Sequence, residues 1–132
     1  MKLHVRASTQ ADVDHLAGNL RPEDAQEVLA SHGSTKAALQ ESFDVSEECW
    51  TIVVTETEEI AGMYGVLGID DTVGMPWLLT APPLKKVWRQ FMRDSLTWIN
   101  KVNKKYPVLT NACDAEYTVA LNWRSEERRV GK

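Results

Sequence analysis

The sequence predicts an α/β (α+β) fold in which a mixed sheet lies between two layers of helices. Three observations carry that prediction. Strand-like runs alternate with stretches of helical period along the 132 residues. Ile60 to Ile69 is almost wholly apolar, as a strand is when both of its faces are covered. Leu84, Val87, Trp88, Phe91, Ser95, Trp98, Ile99 and Val102 recur at i, i+3, i+4 and i+7, the inward stripe of one long core helix.

Each element has its own local cause. Leu3, Val5 and Ala7 alternate with polar neighbours, the period of a half-buried strand. Thr9 followed by Asp12 resembles a helix cap with an acid at the third position, opening a helix from Gln10 to Leu20. A second helix is expected from Pro22 to Gly33, with Glu23 and Asp24 in its first turn. Ser34 is expected to cap a third, Ala37 to Phe43. Trp50 to Thr55 and Ile60 to Ile69 flank a polar turn and predict a hairpin, with Gly62, Gly65 and Gly68 leaving room for a close neighbour. Val73 to Thr80 is a fourth strand in which Pro76 lacks a ladder donor, so a bulge or a late start is expected there. After the long helix, Val108, Leu109 and Ala112 make a short strand, and Asp114 caps a final helix carrying Val119 and Ala120.

Composition narrows the function classes. A net charge of −4 from 15 basic and 19 acidic residues gives no broad attraction for nucleic acid or acidic membrane, and no nucleic-acid partner is expected. No apolar run approaches the roughly 20 residues of a membrane span. Cys49 and Cys113 fit neither a zinc nor a disulfide spacing, so free thiols in a reducing cytoplasm are expected. His4, His15 and His32 show no metal spacing.

The last residues, Arg124 to Lys132, read as the in-frame translation of a widely used DNA-sequencing adaptor. Residues 1–123 are therefore expected to be a single domain lacking its last strands, and residues 124–132 to be adaptor read-through. The alternative is an authentic charged helix end. Arg124, Arg128, Arg129 and Lys132 are accordingly not read as a nucleic-acid patch.

The corner between the fourth strand and the long helix is chemically distinctive. A phosphate-gripping turn works through free backbone N–H groups, with glycines allowing close approach. Thr80-Ala81-Pro82-Pro83-Leu84 has no glycine, and its two prolines remove two donors.

The element order resembles the GNAT (Gcn5-related N-acetyltransferase) family, and Val5-Arg6-Ala7, then Asp12 and Leu16-Ala17, resembles that family's opening pattern. The resemblance implies a GNAT-like three-layer α-β-α fold, here C-terminally truncated. It is closer still to the small GNAT-like internal virion or virion-assembly proteins of short-tailed bacteriophages, through Arg21-Pro22-Glu23-Asp24 with Glu27-Val28, Ser42 and Ser46 before Trp50, and Asp114 with Thr118-Val119 and Trp123. GNAT enzymes hold the diphosphate of coenzyme A with an Arg/Gln-x-x-Gly-x-Gly/Ala loop, where this chain has Ala81-Pro82-Pro83-Leu84-Lys85-Lys86. In the fourth helix, the family's Asn, Ala and Tyr positions hold Tyr117, Ala120 and Arg124, so only Ala120 matches.

Those departures give a first expectation of a non-catalytic phage protein acting in virion morphogenesis or as an internal virion component. It would have phage or host proteins as partners, no cofactor and no catalytic or metal residues, and it would reside in the bacterial host's cytoplasm or the virion. The alternative is an acetyl-CoA-dependent N-acyltransferase. Amides of Trp77, Leu78 and Leu79 would then hold the pantetheine, and Lys85, Lys86 and Arg89, with Arg93 nearby, would replace the phosphate loop. The simpler reading of those cations is a solvated helix face. A third possibility is an inhibitor of a host factor.

Turn acids Glu56, Glu58, Glu59, Asp70 and Asp71 could supply a base for activating an amine, although turn acids are commonly just exposed. Cys113 reads as a buried small hydrophobe before it reads as an acyl acceptor. Trp50, Trp77, Trp88, Trp98 and Trp123 divide between core and a contact surface in a way the sequence leaves open.

Overall fold

Hydrophobic patterning turns into three layers in the computed structural model, which describes residues 1–20, 22 and 35–109. The expected helix from Pro22 to Gly33 lies almost wholly outside those residues, as do Ala112, Cys113, the helix opened by Asp114, and Trp123 with the tail.

Strand β1 (Leu3–Ala7) leads into α1 (Gln10–Ala17), shorter than its pattern suggested because Gly18 caps it. The predicted box is present: the Thr9 hydroxyl accepts from the Asp12 amide, and the Asp12 carboxylate accepts from the Thr9 amide. Helix α2 spans Thr35–Val45, a turn more than expected, and the Thr35 hydroxyl donates to the Ala17 carbonyl. The hairpin is β2 (Glu48–Val54) with β3 (Glu59–Gly68), followed by β4 (Val73–Thr80). A 3₁₀ segment, Pro82–Val87, runs into the long helix α3 (Trp88–Lys105), and β5 (Val108–Leu109) follows.

The sheet order is β1-β2-β3-β4-β5, antiparallel throughout except for the parallel pair β4–β5. One face carries Ile52, Val54, Tyr64 and Leu78 against Leu84, Val87, Phe91, Met92 and Ile99 of the 3₁₀ segment and α3. The other carries Met63, Trp77 and Leu79 against Val13, Leu16, Ala38 and Leu39 of α1 and α2. β3 is covered on both sides, as its apolar run required.

The expected irregularity at Pro76 falls elsewhere. The β3–β4 register runs unbroken from Gly62↔Thr80 to Gly68↔Gly74, with Val66 opposite Pro76. The bulge instead inserts Ala61 between the pairs Ile52↔Gly62 and Val53↔Ile60. Strand geometry explains the tolerance of Pro76. Ala81 donates its amide to Ala61 in β3, while Thr72 accepts from Val108 at the head of β5. Peptide groups alternate sides along a strand. Odd-numbered residues of β4 therefore face β3 and even-numbered ones face the β5 edge, where the missing Pro76 donor leaves the ladder intact.

Among the described residues, the tryptophans resolve toward the core. Trp77 is buried, its indole donating to the Ser46 hydroxyl, and an added Cβ on Gly65 would lie 3.0 Å from that ring. Trp50, Trp88 and Trp98 pack partly buried against the α3 side, with Trp50 and Trp98 both donating to one oxygen of Glu48.

Candidate functional site

The prolines determine the shape of the β4–helix corner. Neither Pro82 nor Pro83 has an N–H, so the first available helical donor is Leu84, and it bonds the Ala81 carbonyl at 3.1 Å. That i→i+3 bond makes the first turn 3₁₀ rather than α. No amide is left at this turn for an anion. Instead, Lys85, Lys86 and Arg89 project from it, all exposed.

These cations border a groove of about 840 Å³ that also includes Lys2 and Arg93. Arg89 and Arg93 are four apart on α3 and so share one face of it, while Lys85 borders the same groove from the preceding 3₁₀ segment. Lys2 joins through packing: the Gln90 side chain accepts from the Leu3 amide at 2.9 Å and donates to the Leu3 carbonyl at 3.3 Å. Two of the cations are partnered, Lys86 with Glu59 at 2.8 Å and Arg93 with Asp94 at 3.4 Å.

A second depression of about 1020 Å³ opens on the other side of Lys86. His15 and Asn19 from the end of α1, Glu58 and Glu59 from the hairpin turn, and Ala81 to Pro83 line it. The Lys86 hydrogen bond, then the Thr57 hydroxyl, hold the Glu59 carboxyl below its usual range. Lys86 is the residue common to both depressions.

Of the three strand residues expected to offer amides, only Leu78 turns its peptide group toward the β5 edge. Trp77 and Leu79 face β3, by the alternation that Ala81 establishes. On that edge, β5 pairs with β4 only at Val73 and Gly74 among the described residues. The three side chains themselves are core.

Other candidates separate from this region. Asp70 accepts from the Thr72 and Val73 amides and so organises its turn, while the Glu56 carboxylate accepts from the Lys2 amide and ties the hairpin turn to the head of β1 at the groove's edge. His4 is on the surface, bonded to Thr55. Burial pushes the Cys49 thiol up to about 11, so it is protonated at neutral pH. Among the described residues there is no cluster suited to a metal ion and no helix long and apolar enough to cross a membrane. Sequence reasoning missed Lys2 and the His15–Glu59 depression, whose members are far apart in the chain; no local pattern announces them.

No family model and no curated protein matches the sequence. Solved structures do match the fold. A GNAT-family acetyltransferase from Bacillus anthracis superposes with a TM-score of 0.58 at 8% identity, over 96% of this chain and 79% of the other. A GCN5-related N-acetyltransferase from Sphaerobacter thermophilus gives 0.53 at 17%, over 94% of this chain and 42% of the other. AAC(6')-Iy, solved with the bisubstrate analogue CoA-S-monomethyl-acetylneamine, gives 0.52 at 11%, over 96% and 90%. The chain thus has the GNAT-like fold.

Proposed function

We propose that this protein is an N-acyltransferase that takes its acyl group from a pantetheine thioester, with acetyl-CoA the simplest donor. The observation that carries the reading is the corner after β4, where Lys85, Lys86 and Arg89 gather beside a groove in a fold shared with acetyltransferases. In that fold, the corner is where the coenzyme's diphosphate is held. The residues here suit such a group by side-chain charge rather than by backbone amides, with lysines acting as point charges.

A bound thioester supplies an activated acyl carbonyl. The chain's own contribution begins with the Leu78 peptide group on the β5 edge, which can bond an amide of the pantetheine arm. Lys85, Lys86 and Arg89 neutralise phosphate charge, and engaging Lys86 would loosen its bond to Glu59. Glu59, 2.8 Å from Lys86, lies at the phosphate end of this corner, so the proton of an amine attacking at the far, thioester end of the arm passes to water.

Calorimetric titration with acetyl-CoA, followed by thiol release in the presence of an amine panel, tests the reading. Binding and amine-dependent thiol release are expected. No amine-dependent thiol release from any pantetheine thioester, acetyl-CoA included, would overturn it.

A second reading draws on the same corner. Pro82, Pro83 and the Leu84 amide occupied by Ala81 leave no amide cradle, which favours a GNAT-like fold kept for protein contacts, as in a phage virion-assembly or internal virion protein. Recovery of the protein with purified virions, combined with a flat acetyl-CoA titration, is the outcome that reading expects.

A further inference from the structure

We infer that the groove between Lys2 and the first turns of the long helix docks an acidic acyl carrier protein, the acyl group arriving on that protein's phosphopantetheine arm. This rests on the acyltransferase reading above and specifies its donor. Free coenzyme A carries a diphosphate and a further phosphate, which an amide-rich turn suits best. A carrier-bound arm carries one phosphodiester and needs no diphosphate cradle. The corner has no such cradle, since Pro82 and Pro83 lack donors and the Leu84 amide is already bonded. It does have more cations than one phosphodiester requires.

Those extra cations form an extended, exposed stripe. Arg89 and Arg93 follow one another at four-residue spacing on α3, Lys85 borders the same groove from the 3₁₀ segment, and Lys2 is held alongside by the Gln90–Leu3 bonds. Arg89, in the first turn of α3, opposes the helix dipole, a small cost that a bound anion relieves. A stripe of this kind is complementary to an acidic helix on a partner.

The transfer balances without a further reagent. The amine nitrogen bonds the acyl carbon, the carbon–sulfur bond breaks, the thiolate leaves on the arm, and the proton lost by nitrogen ends on sulfur through water.

The test compares acetylated carrier protein with acetyl-CoA as donors for the full chain across one amine panel at fixed salt. Acetyl-carrier is expected to give a kcat/KM at least about tenfold above acetyl-CoA, a preference lost as salt screens the groove. The paired variant Lys2→Glu/Arg93→Glu should lower the carrier-to-coenzyme ratio by about tenfold, while Lys36→Glu, on α2, should leave it in place. Both sites are exposed, and unchanged denaturation midpoints will separate charge from folding. Equal use of the two donors, or a ratio that ignores the charge reversal, overturns the inference and leaves the acyltransferase reading standing. Turnover of neither donor overturns both. Tighter binding of a single-stranded DNA oligonucleotide than of the carrier also overturns the inference.

Discussion

Arg6 holds Asp12 in a two-pronged ion pair, Nη1 to Oδ2 at 2.7 Å and Nη2 to Oδ1 at 2.8 Å, across the junction of β1 and α1. The carboxylate is buried and also accepts from the Thr9 amide and the Thr51 hydroxyl. One side chain thus caps a helix, anchors a strand and reaches β2. Replacing it with alanine removes all three connections, and we expect Asp12→Ala to cost on the order of 3 kcal/mol in chemical denaturation. A loss below about 0.5 kcal/mol, the range of ordinary surface changes, would show that the junction is held by packing alone.

The same carboxylate gives a signed pH dependence. Burial works against its charge, but the bonds from Arg6, Thr9 and Thr51 outweigh that and hold its pKa below the usual value. The unfolded chain therefore binds the proton more readily, and Asp12 contributes its full share of stability above the unfolded pKa of about 3.9. That share should fall away as pH drops below this value toward the folded pKa. Denaturation midpoints measured from pH 6 down to pH 2 should decline less steeply for Asp12→Asn than for the native chain; parallel curves would assign the acid sensitivity to other carboxylates.

Gly74 and Tyr106 offer a packing test. A Cβ on Gly74 would lie 2.8 Å from the tyrosine Cγ, an atom that side-chain rotation cannot carry far. Gly74→Ala is expected to destabilise by about 1–3 kcal/mol through overpacking. The same substitution in a Tyr106→Ala background should cost much less, since the clash has gone. Additive costs in this double-mutant cycle would place the penalty in the strand backbone instead.

What the sequence reveals here follows the range of the interaction that decides each feature. The Thr9–Asp12 box and the stripe from Trp88 to Val102 are local and both are present, while Leu84 and Val87 keep their inward packing from a 3₁₀ segment that the double proline imposes ahead of the helix. The position of the bulge is not local: nothing around Ala61 distinguishes it from its neighbours until β2 is paired beside it. Pro76 is similar, because its effect depends on which side of β4 β5 occupies. At the corner, the double proline was legible as a loss of donors. The groove was only half legible, because Arg89 and Arg93 share a helix face whereas Lys2 arrives through a contact spanning 87 positions.

The double proline also provides the most direct test of how the corner treats phosphate. Positions 82 and 83 follow the Ala81 cap, where a helix has donors without internal partners. Pro82→Gly/Pro83→Gly would restore two such amides beside Lys85 and Lys86. Each bond from an amide to a charged phosphate oxygen contributes about 1.5–3 kcal/mol, so even one imperfect bond should tighten coenzyme A binding by about tenfold. The same change loosens the unfolded chain and should lower stability by about 0.4–1 kcal/mol per site. Calorimetry on the native and double-glycine chains reads both terms, through affinity and through melting temperature. If affinity stays level while stability drops as expected, coenzyme phosphate does not reach this turn, and charge on the flanking side chains is then the whole of what the corner offers a donor.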